Sequence, residues 1–181
     1  ALCKRQGQVV LERVKTWSGK DLMELAGIIL TEYEATPYSM RPQSIFIDAI
    51  GIGGGLADRL AELDLPAISI AVSESPSLKD RFMRLRDELF WKAREWFEAR
   101  DCKIPNDETL ISEVTAVRYK YQSSGKLKIE GKDEMRRRGM RSPDACDAFV
   151  LTFAQEGAVA MGSMSRWMGR ETMKPQTGWI V

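Results

Sequence analysis

Histidine is absent from the 181 residues, and cysteine occurs only three times. Without histidine the chain has no Ser-His or Cys-His pair, no imidazole acid–base chemistry and no His-ligated zinc. The cysteines lie far apart and form no CxxC pair, which argues against structural zinc or a disulfide scaffold and favours a reducing compartment. No apolar run approaches the roughly 18 residues of a membrane helix, and we expect an intracellular protein without a membrane association. Any chemistry must therefore come from carboxylates, lysines, arginines or hydroxyls.

The composition is that of an ordinary globular domain, with 44% hydrophobic and 29% charged residues and 27 basic against 26 acidic side chains. We expect one domain over residues 1–156 and a tail over residues 157–181. Ala1 opens directly onto an apolar-polar alternation, so the first strand starts as though cut partway along, as in a domain taken from a longer chain. The ATP-binding pattern GxxxxGK(S/T) does not occur.

Hydrophobic periodicity predicts alternating strands and helices and therefore an α/β fold. Strands are expected at residues 44–50 and 66–72 with a helix at 56–63 between them, a spacing that indicates a parallel βαβ unit. The other predicted elements are a hairpin over 1–17, a helix over 19–34 capped by Ser18, a helix over 78–99, a short helix from Thr109, a hairpin of 117–121 and 126–130, and a last helix from Ser142 to Glu156.

Asp48 interrupts the apolar strand near its carboxyl end, where open α/β sheets bind their ligands. An unpaired buried carboxylate costs several kcal/mol, so Asp48 needs a cation or strong hydrogen-bond donors. Two interpretations remain open. Asp48 belongs to a functional site, or it accepts backbone N–H groups from the glycine turn 51–55.

The last predicted helix carries two further acids, Asp144 and Asp147, three residues apart. The helix dipole alone explains Asp144, because it stabilises an acid in the first turn. Asp147 lies one turn further, on an apolar face, where an acid does not stabilise the helix. Carboxylates that converge at the edge of a sheet are the ligands of a hard divalent cation such as Mg²⁺ or Mn²⁺. Asp48, Asp144 and Asp147 are therefore the candidate catalytic and metal-binding residues.

The stretch from Arg118 to Arg141 contains nine basic and three acidic residues, a net charge of +6 in a chain of net charge +1. Such a run is often only a solvated surface, but this one leads directly into the acidic helix. Basic groups beside a metal site suit binding and cleavage of a phosphate backbone. The candidate nucleic-acid contacts are Lys126, Lys128, Lys132, Arg136, Arg137, Arg138 and Arg141.

The glycine turn supports a competing hypothesis, a nucleotide-binding domain. Gly51–Gly55 follows a strand and opens a helix, and Glu74 ends the next strand about 20 residues on, as in a dinucleotide fingerprint. Leu56 stands at the third glycine position, however, so the pattern GxGxxG is broken.

Taken together, five segments resemble the nuclease domain of tailed-phage terminase large subunits, the motors that pump and cut viral DNA. They occur in the family's order and cover roughly residues 1–155; the start of the last helix, SPDxxDA, is the most specific. The matching segments are IFIDAIGIGGG at 45–55, RDELFW at 86–91, KLKIE at 126–130, KDE at 132–134 and SPDACDAF at 142–149.

The resemblance implies a ribonuclease H-like fold, a mixed central sheet flanked by helices with an additional basic hairpin, and two-metal phosphodiester hydrolysis with Mg²⁺ or Mn²⁺. Three acids bind the metals in that family. Asp48 matches the second and Asp147 the third, with Asp144 close enough to help or substitute. The first acid would precede Ala1, so the resemblance leaves open whether this stretch of chain cuts DNA.

The resemblance also implies double-stranded DNA as substrate, cut with little sequence specificity. It implies as partners the terminase ATPase domain, the small terminase subunit and the portal or procapsid, all in the host cytoplasm. Lys132 and Arg136–Arg138 would hold the phosphate backbone. A non-catalytic DNA-binding or motor-docking module is the main alternative, and the nucleotide-binding domain is the other.

Overall fold

The computed structural model describes residues 1–51, 53–154 and 177–180, which form seven strands and six α-helices. The strands are β1 (Cys3–Gln6), β2 (Val9–Val10), β3 (Ser44–Asp48), β4 (Ala67–Ile70), β5 (Tyr119–Tyr121), β6 (Leu127–Ile129) and β7 (Thr177–Ile180). The helices are α1 (Leu22–Ala35), α2 (Gly53–Glu62), α3 (Leu85–Glu98), α4 (Glu108–Ala116), α5 (Lys132–Arg137) and α6 (Asp144–Leu151), with a 3₁₀ turn at Tyr38–Met40.

The central sheet is mixed and has the strand order β2-β1-β7-β3-β4. Strand β3 pairs in parallel with β4 and with β7, whereas β1 pairs antiparallel with β2 and with β7. The predicted parallel βαβ unit is β3-α2-β4, and the predicted first hairpin is β1-β2. Strands β5 and β6 form a separate antiparallel hairpin, also as predicted.

Both faces of the sheet are buried, because successive side chains of β3 point to opposite sides. Ile45 and Ile47 pack on one side with Ile29 of α1 and Leu60 of α2. Phe46 packs on the other side in the larger core that α3, α4, α6 and the β5-β6 hairpin share. Helices therefore cover the sheet from both sides, and the expected α/β architecture is confirmed.

Helix α3 begins at Leu85 rather than at the predicted residue 78. The residues before it pair with the hairpin instead, since the Met83 amide donates to the Leu127 carbonyl at 3.2 Å and the Leu127 amide donates to the Arg81 carbonyl at 2.8 Å. The buried Glu88 carboxylate accepts the Ser77 amide at 2.6 Å and fixes the same segment. Apolar periodicity continued through residues 78–84, but backbone pairing with β6 determined their structure.

Three other elements differ from the predictions. Asp21, not Ser18, caps α1, since its carboxylate accepts the Glu24 amide at 2.8 Å. Helix α5 lies where a loop was expected, and the Glu134 carboxylate accepts the Gly131 amide at its start. Ser142 was expected to be the N-cap of a last helix that ends near Glu156. Pro143 occupies the N-cap position instead, and α6 begins at Asp144 and ends at Leu151.

The predicted tail, residues 157–181, lies largely outside the described residues. Its segment Thr177–Ile180 is described and forms β7, between β1 and β3 in the sheet. In the described part of the chain, no helix combines the length and the apolar character needed to cross a membrane.

Candidate functional site

The carboxyl end of β3 faces a cavity of about 480 Å³ that is lined by residues of β3, α3, β6, α5 and α6. Asp48, Asp144 and Asp147 all line this cavity, together with Lys128 and Lys132. The structure thus brings together the three acids that the sequence singled out and two of the seven basic residues. We call it the acidic cavity.

Asp48 is the last residue of β3 and is partly buried. Its Oδ1 accepts the Ile50 amide at 3.1 Å, so one N–H group just before the glycine turn satisfies part of the carboxylate. Burial raises the pKa of Asp48; the Ile50 amide and Lys132 oppose this, and the charge of Asp147 adds to it. Within the described residues Asp48 forms no ion pair, whereas Asp147 in the same cavity forms two.

Asp147 lies in the first turn of α6, with its side chain about one-quarter exposed, between two cations. Its Oδ2 lies 3.0 Å from the Lys132 Nζ, and its Oδ1 lies 3.5 Å from a guanidinium nitrogen of Arg86. The apolar residues around Asp147 on α6 pack on the core. The Asp147 carboxylate lies at the edge of this apolar face.

Arg86 is a site residue that the reasoning from individual residues did not select. Besides Asp147, its guanidinium donates to the Glu130 carbonyl at 3.1 Å and lies 4.5 Å from the centre of the Phe90 ring. These contacts hold a positive charge in the wall of the cavity. The only sequence signal was its position at the start of the segment RDELFW.

Asp144 is exposed at the rim of the cavity, one turn before Asp147. Its Oδ1 accepts the Ser142 hydroxyl at 2.7 Å, a local contact that needs no functional explanation. The structure therefore leaves Asp144 as the most peripheral of the three candidate acids.

A fourth acid, Glu113 of α4, lies behind the first turn of α6 and was not anticipated from the sequence. Its Oε2 accepts the Cys146 amide at 2.8 Å. Burial raises its pKa, the amides of Cys146 and Ala145 oppose this, and the charges of Asp144 and Asp147 raise it further. The signal in the sequence was an acid three residues after the buried Leu110, on the apolar face of a short helix.

The seven candidate nucleic-acid contacts do not form one cluster. Lys128 and Lys132 line the acidic cavity, while Arg137 and Arg138 line a second cavity of about 350 Å³. Arg138 is engaged within the protein, because it pairs with the buried Glu130 carboxylate and donates to a carbonyl of α4. The other three are Lys126, Arg136, which pairs with Asp133 at 3.0 Å, and the exposed Arg141.

The glycine turn is explained by packing inside the protein. A Cβ atom at Gly53 would lie 1.7 Å from the carbonyl oxygen of Asp48, so only glycine allows α2 to start this close to β3. Gly51 has a φ of +71°, which also favours glycine. Neither glycine requires a bound nucleotide to account for it.

The acids of the cavity fit a divalent cation in part. Two carboxylates, Asp48 and Asp147, face the same cavity, and oxygen ligands of this kind suit Mg²⁺ or Mn²⁺ with water filling the remaining positions. Among the residues that the structure describes, no group of three acidic or cysteine side chains is close enough to hold a metal ion by itself. The described residues thus fit one hydrated cation better than a closed site.

Several solved structures share this fold, and the likenesses extend over most of the chain. The nuclease domain of the large terminase subunit gp2 of bacterial virus Sf6 is 20% identical, with a TM-score of 0.64 over 83% of this chain and 80% of that one. A mutant of that domain, solved with manganese and beta-thujaplicinol, has a TM-score of 0.66 over the same shares and is also 20% identical. The large terminase nuclease of thermophilic phage G20c, solved with magnesium, is 18% identical, with a TM-score of 0.55 over 76% of this chain and 63% of that one.

These structural neighbours are nuclease domains of phage large terminase subunits, and the expected ribonuclease H-like fold is confirmed. No protein-family model and no curated protein sequence matches the chain. At 16–20% identity the likenesses establish the fold, and the activity is argued from the site.

Proposed function

We propose that this chain is the nuclease domain of a phage DNA-packaging terminase and hydrolyses phosphodiester bonds of double-stranded DNA with the help of Mg²⁺ or Mn²⁺. Asp48 and Asp147 would hold one hydrated cation. The two-metal hydrolysis that the resemblance implies would need further ligands, for which Asp144 at the rim is a candidate. The proposal is supported by the shared fold and by the acids that line one cavity at the carboxyl end of β3.

The strongest support for the proposal is the environment of the Asp48 carboxylate. Its carboxylate is partly buried, has a raised pKa, and faces Asp147 across the cavity without an ion pair of its own among the described residues. Two carboxylates brought together in this way repel each other and gain from a cation between them. A purely structural acid would be expected to have both oxygens occupied, as Asp87 does by accepting the amides of Ile129 and Arg84, whereas only Oδ1 of Asp48 accepts an amide.

A bound divalent cation would polarise the phosphodiester and lower the pKa of the attacking water. The chain's own residues would orient that cation and the DNA. Lys132, about half exposed, and Arg86 would offer positive charge to the phosphate that enters the cavity. Arg86 is held by Glu130 and Phe90, so its charge is positioned before the substrate arrives.

Contacts with DNA outside the cavity would come from cations of the stretch 126–141 that are at least partly exposed and are not paired within the protein. Lys126, Arg137 and Arg141 are the candidates, because Arg138 is engaged by Glu130 and Arg136 by Asp133. These contacts reach phosphates rather than bases, so binding would depend weakly on sequence and strongly on salt. The ATPase domain, the small terminase subunit and the portal would be the partners of such a domain.

A non-catalytic DNA-binding module is the second candidate, and one observation favours it. Asp147 is already paired with Lys132 and Arg86, so its charge is balanced without a metal. If that state persists in solution, the same basic surface binds DNA and no cleavage follows.

Calorimetric titration with Mn²⁺ tests the proposal directly. We expect the parent chain to bind Mn²⁺, the Asp48→Asn variant to lose binding, and the matched control Asp58→Asn, on the exposed surface of α2, to bind like the parent. The substitution changes charge but not shape, so the fold should be retained. Unchanged binding by Asp48→Asn would refute the assignment of the metal site.

A further inference from the structure

We propose that Glu113 is a positioning residue for the acids of α6. From the neighbouring helix α4, its carboxylate holds the first turn of α6 and so fixes where Asp147 points relative to Asp48. This inference rests on the proposed function, because it concerns the geometry of the proposed cation site.

Helix α6 has no side-chain cap of its own. Pro143 stands at the N-cap position and offers no side-chain acceptor, and the Ser142 hydroxyl donates to the Asp144 carboxylate instead. The first N–H groups of a helix need partners from outside the helix. Glu113 supplies one, since its Oε2 lies 2.8 Å from the Cys146 amide nitrogen.

The position of this contact along α6 connects it to the site. Cys146 precedes Asp147 directly, and both Cys146 and Ala145 are buried against the core. Helix α4 also packs on α6 through the buried Leu110 and the half-buried Val114 of the same core. A shift of the capped turn therefore moves the Asp147 backbone, and with it the carboxylate that Lys132 and Arg86 now hold.

Glu113 itself is not placed to be a metal ligand with the others. Its carboxylate is directed at the helix amides, and the acids of the described residues form no group of three that could hold a metal. The role left for it is indirect, in the way that groups behind metal ligands orient them, and the loss of such a group typically weakens metal binding about 10- to 100-fold.

The competing explanation is that Glu113 only stabilises α6 as a cap. The chain offers a way to separate the two roles, because a serine at position 143 could accept the same Cys146 N–H group, which is the third of the helix. A Pro143→Ser substitution added to Glu113→Ala would restore the cap locally but not the connection to α4.

The experiment measures Mn²⁺ affinity by calorimetry and hydrogen exchange of the Cys146 amide in the parent and three variants. We expect Glu113→Ala to weaken Mn²⁺ binding about tenfold and to speed the exchange of this amide. Glu113→Gln, which keeps an acceptor oxygen, should stay within about threefold of the parent affinity. Glu113→Ala with Pro143→Ser should regain amide protection but not Mn²⁺ affinity.

Each contrary result overturns the inference. An affinity of Glu113→Ala within about twofold of the parent value would show that α6 holds its acids unaided. Recovery of Mn²⁺ affinity in the double variant would show that Glu113 acts only as a cap of α6. A loss in Glu113→Gln as large as in Glu113→Ala would mean that its charge acts at the site directly. If Glu113→Ala does not fold, the Mn²⁺ affinity of the double variant, in which the cap is restored, decides between the two roles.

If the proposed function is wrong, the Mn²⁺ titrations give a different result. In that case the parent chain itself would bind no Mn²⁺, as Asp48→Asn is expected to do. The inference would then be decided in the metal-free protein from the backbone chemical shifts of Asp147. The Asp147 amide donates to the Pro143 carbonyl at 2.8 Å, so Pro143→Ser alone is the reference for these shifts. Shifts in the double variant that differ from those of Pro143→Ser would support positioning by Glu113, and equal shifts in the two variants would contradict it.

Discussion

Replacing Gly53 by alanine tests how the packing of α2 against β3 sets the position of Asp48. The new Cβ would lie 1.7 Å from the Asp48 carbonyl oxygen, 2.9 Å from its carbonyl carbon and 3.4 Å from the Ile47 Cγ2. Ordinary contacts are about 3.5 Å, so the helix start or the end of the strand must move by well over 1 Å. Either movement displaces the residue that carries the proposed metal ligand.

The neighbouring residue provides a matched control. A Cβ at Gly54 would lie 3.8 Å from the Ala49 carbonyl oxygen, an ordinary contact, so Gly54→Ala should stabilise the protein by about 0.5 kcal/mol through lower chain entropy. Gly53→Ala should instead lose about 1–3 kcal/mol from overpacking. The two single-methyl variants should therefore differ by about 1.5–3.5 kcal/mol, or roughly 3–14 °C in Tm for a chain of this size.

Thermal unfolding of both variants, followed by Mn²⁺ titration, checks this reasoning. We expect Gly53→Ala to unfold at the lower temperature and to bind Mn²⁺ more weakly than the parent, and Gly54→Ala to match the parent in binding. Equal stability of the two variants would refute the close approach of α2 and β3. Lowered stability with unchanged Mn²⁺ affinity would refute the connection between this packing and the site.

Two further predictions follow from charge. The pKa of Asp48 is raised above its unfolded value of 3.8, so its contribution to stability is full below that pH and is lost as the pH rises through the folded pKa. Asp48→Asn should therefore unfold at higher denaturant concentration than the parent at neutral pH without divalent cations, and this advantage should decrease as the pH falls and disappear below about pH 4. No gain at neutral pH would contradict the burial of this charge. Replacing Arg137 and Arg141 by alanine should reduce the salt dependence of DNA binding by about two counterions, whereas Arg13→Ala, outside both cavities, should leave the slope less changed. A slope equal to the parent's would show that these arginines only face solvent.

Much of the fold follows from local patterns in the sequence. The apolar run around Ile45–Ile47 predicts the central strand because both faces of that strand are covered, and the β5-β6 hairpin follows from its turn residues. The boundaries that were missed depend on long-range contacts. The start of α3 is set by pairing of residues 81–83 with β6, and the position of β7 in the middle of the sheet depends on strands more than 130 residues away in sequence.

The site was predictable to the extent that an unusual residue in a regular pattern identifies it. Asp48 in an apolar strand and Asp147 on an apolar helix face were selected in this way as candidates, and both line the same cavity. Arg86 and Glu113 were not selected because charged residues at their helix positions are ordinary, and only the packing of α3 and α4 near the cavity suggests the roles proposed for them. The division of the basic residues between two cavities likewise depends on the fold of α5.

The most direct test of the central claim is nicking of supercoiled plasmid by this chain in Mn²⁺. Asp48→Ala and Asp147→Ala are the site variants, Asp58→Ala is the surface control, and EDTA removes the metal. We expect open-circular product from the parent and the surface control, and none from either site variant or with EDTA. Cleavage that survives Asp48→Ala would contradict the site, and absence of cleavage by the parent would favour the non-catalytic DNA-binding module.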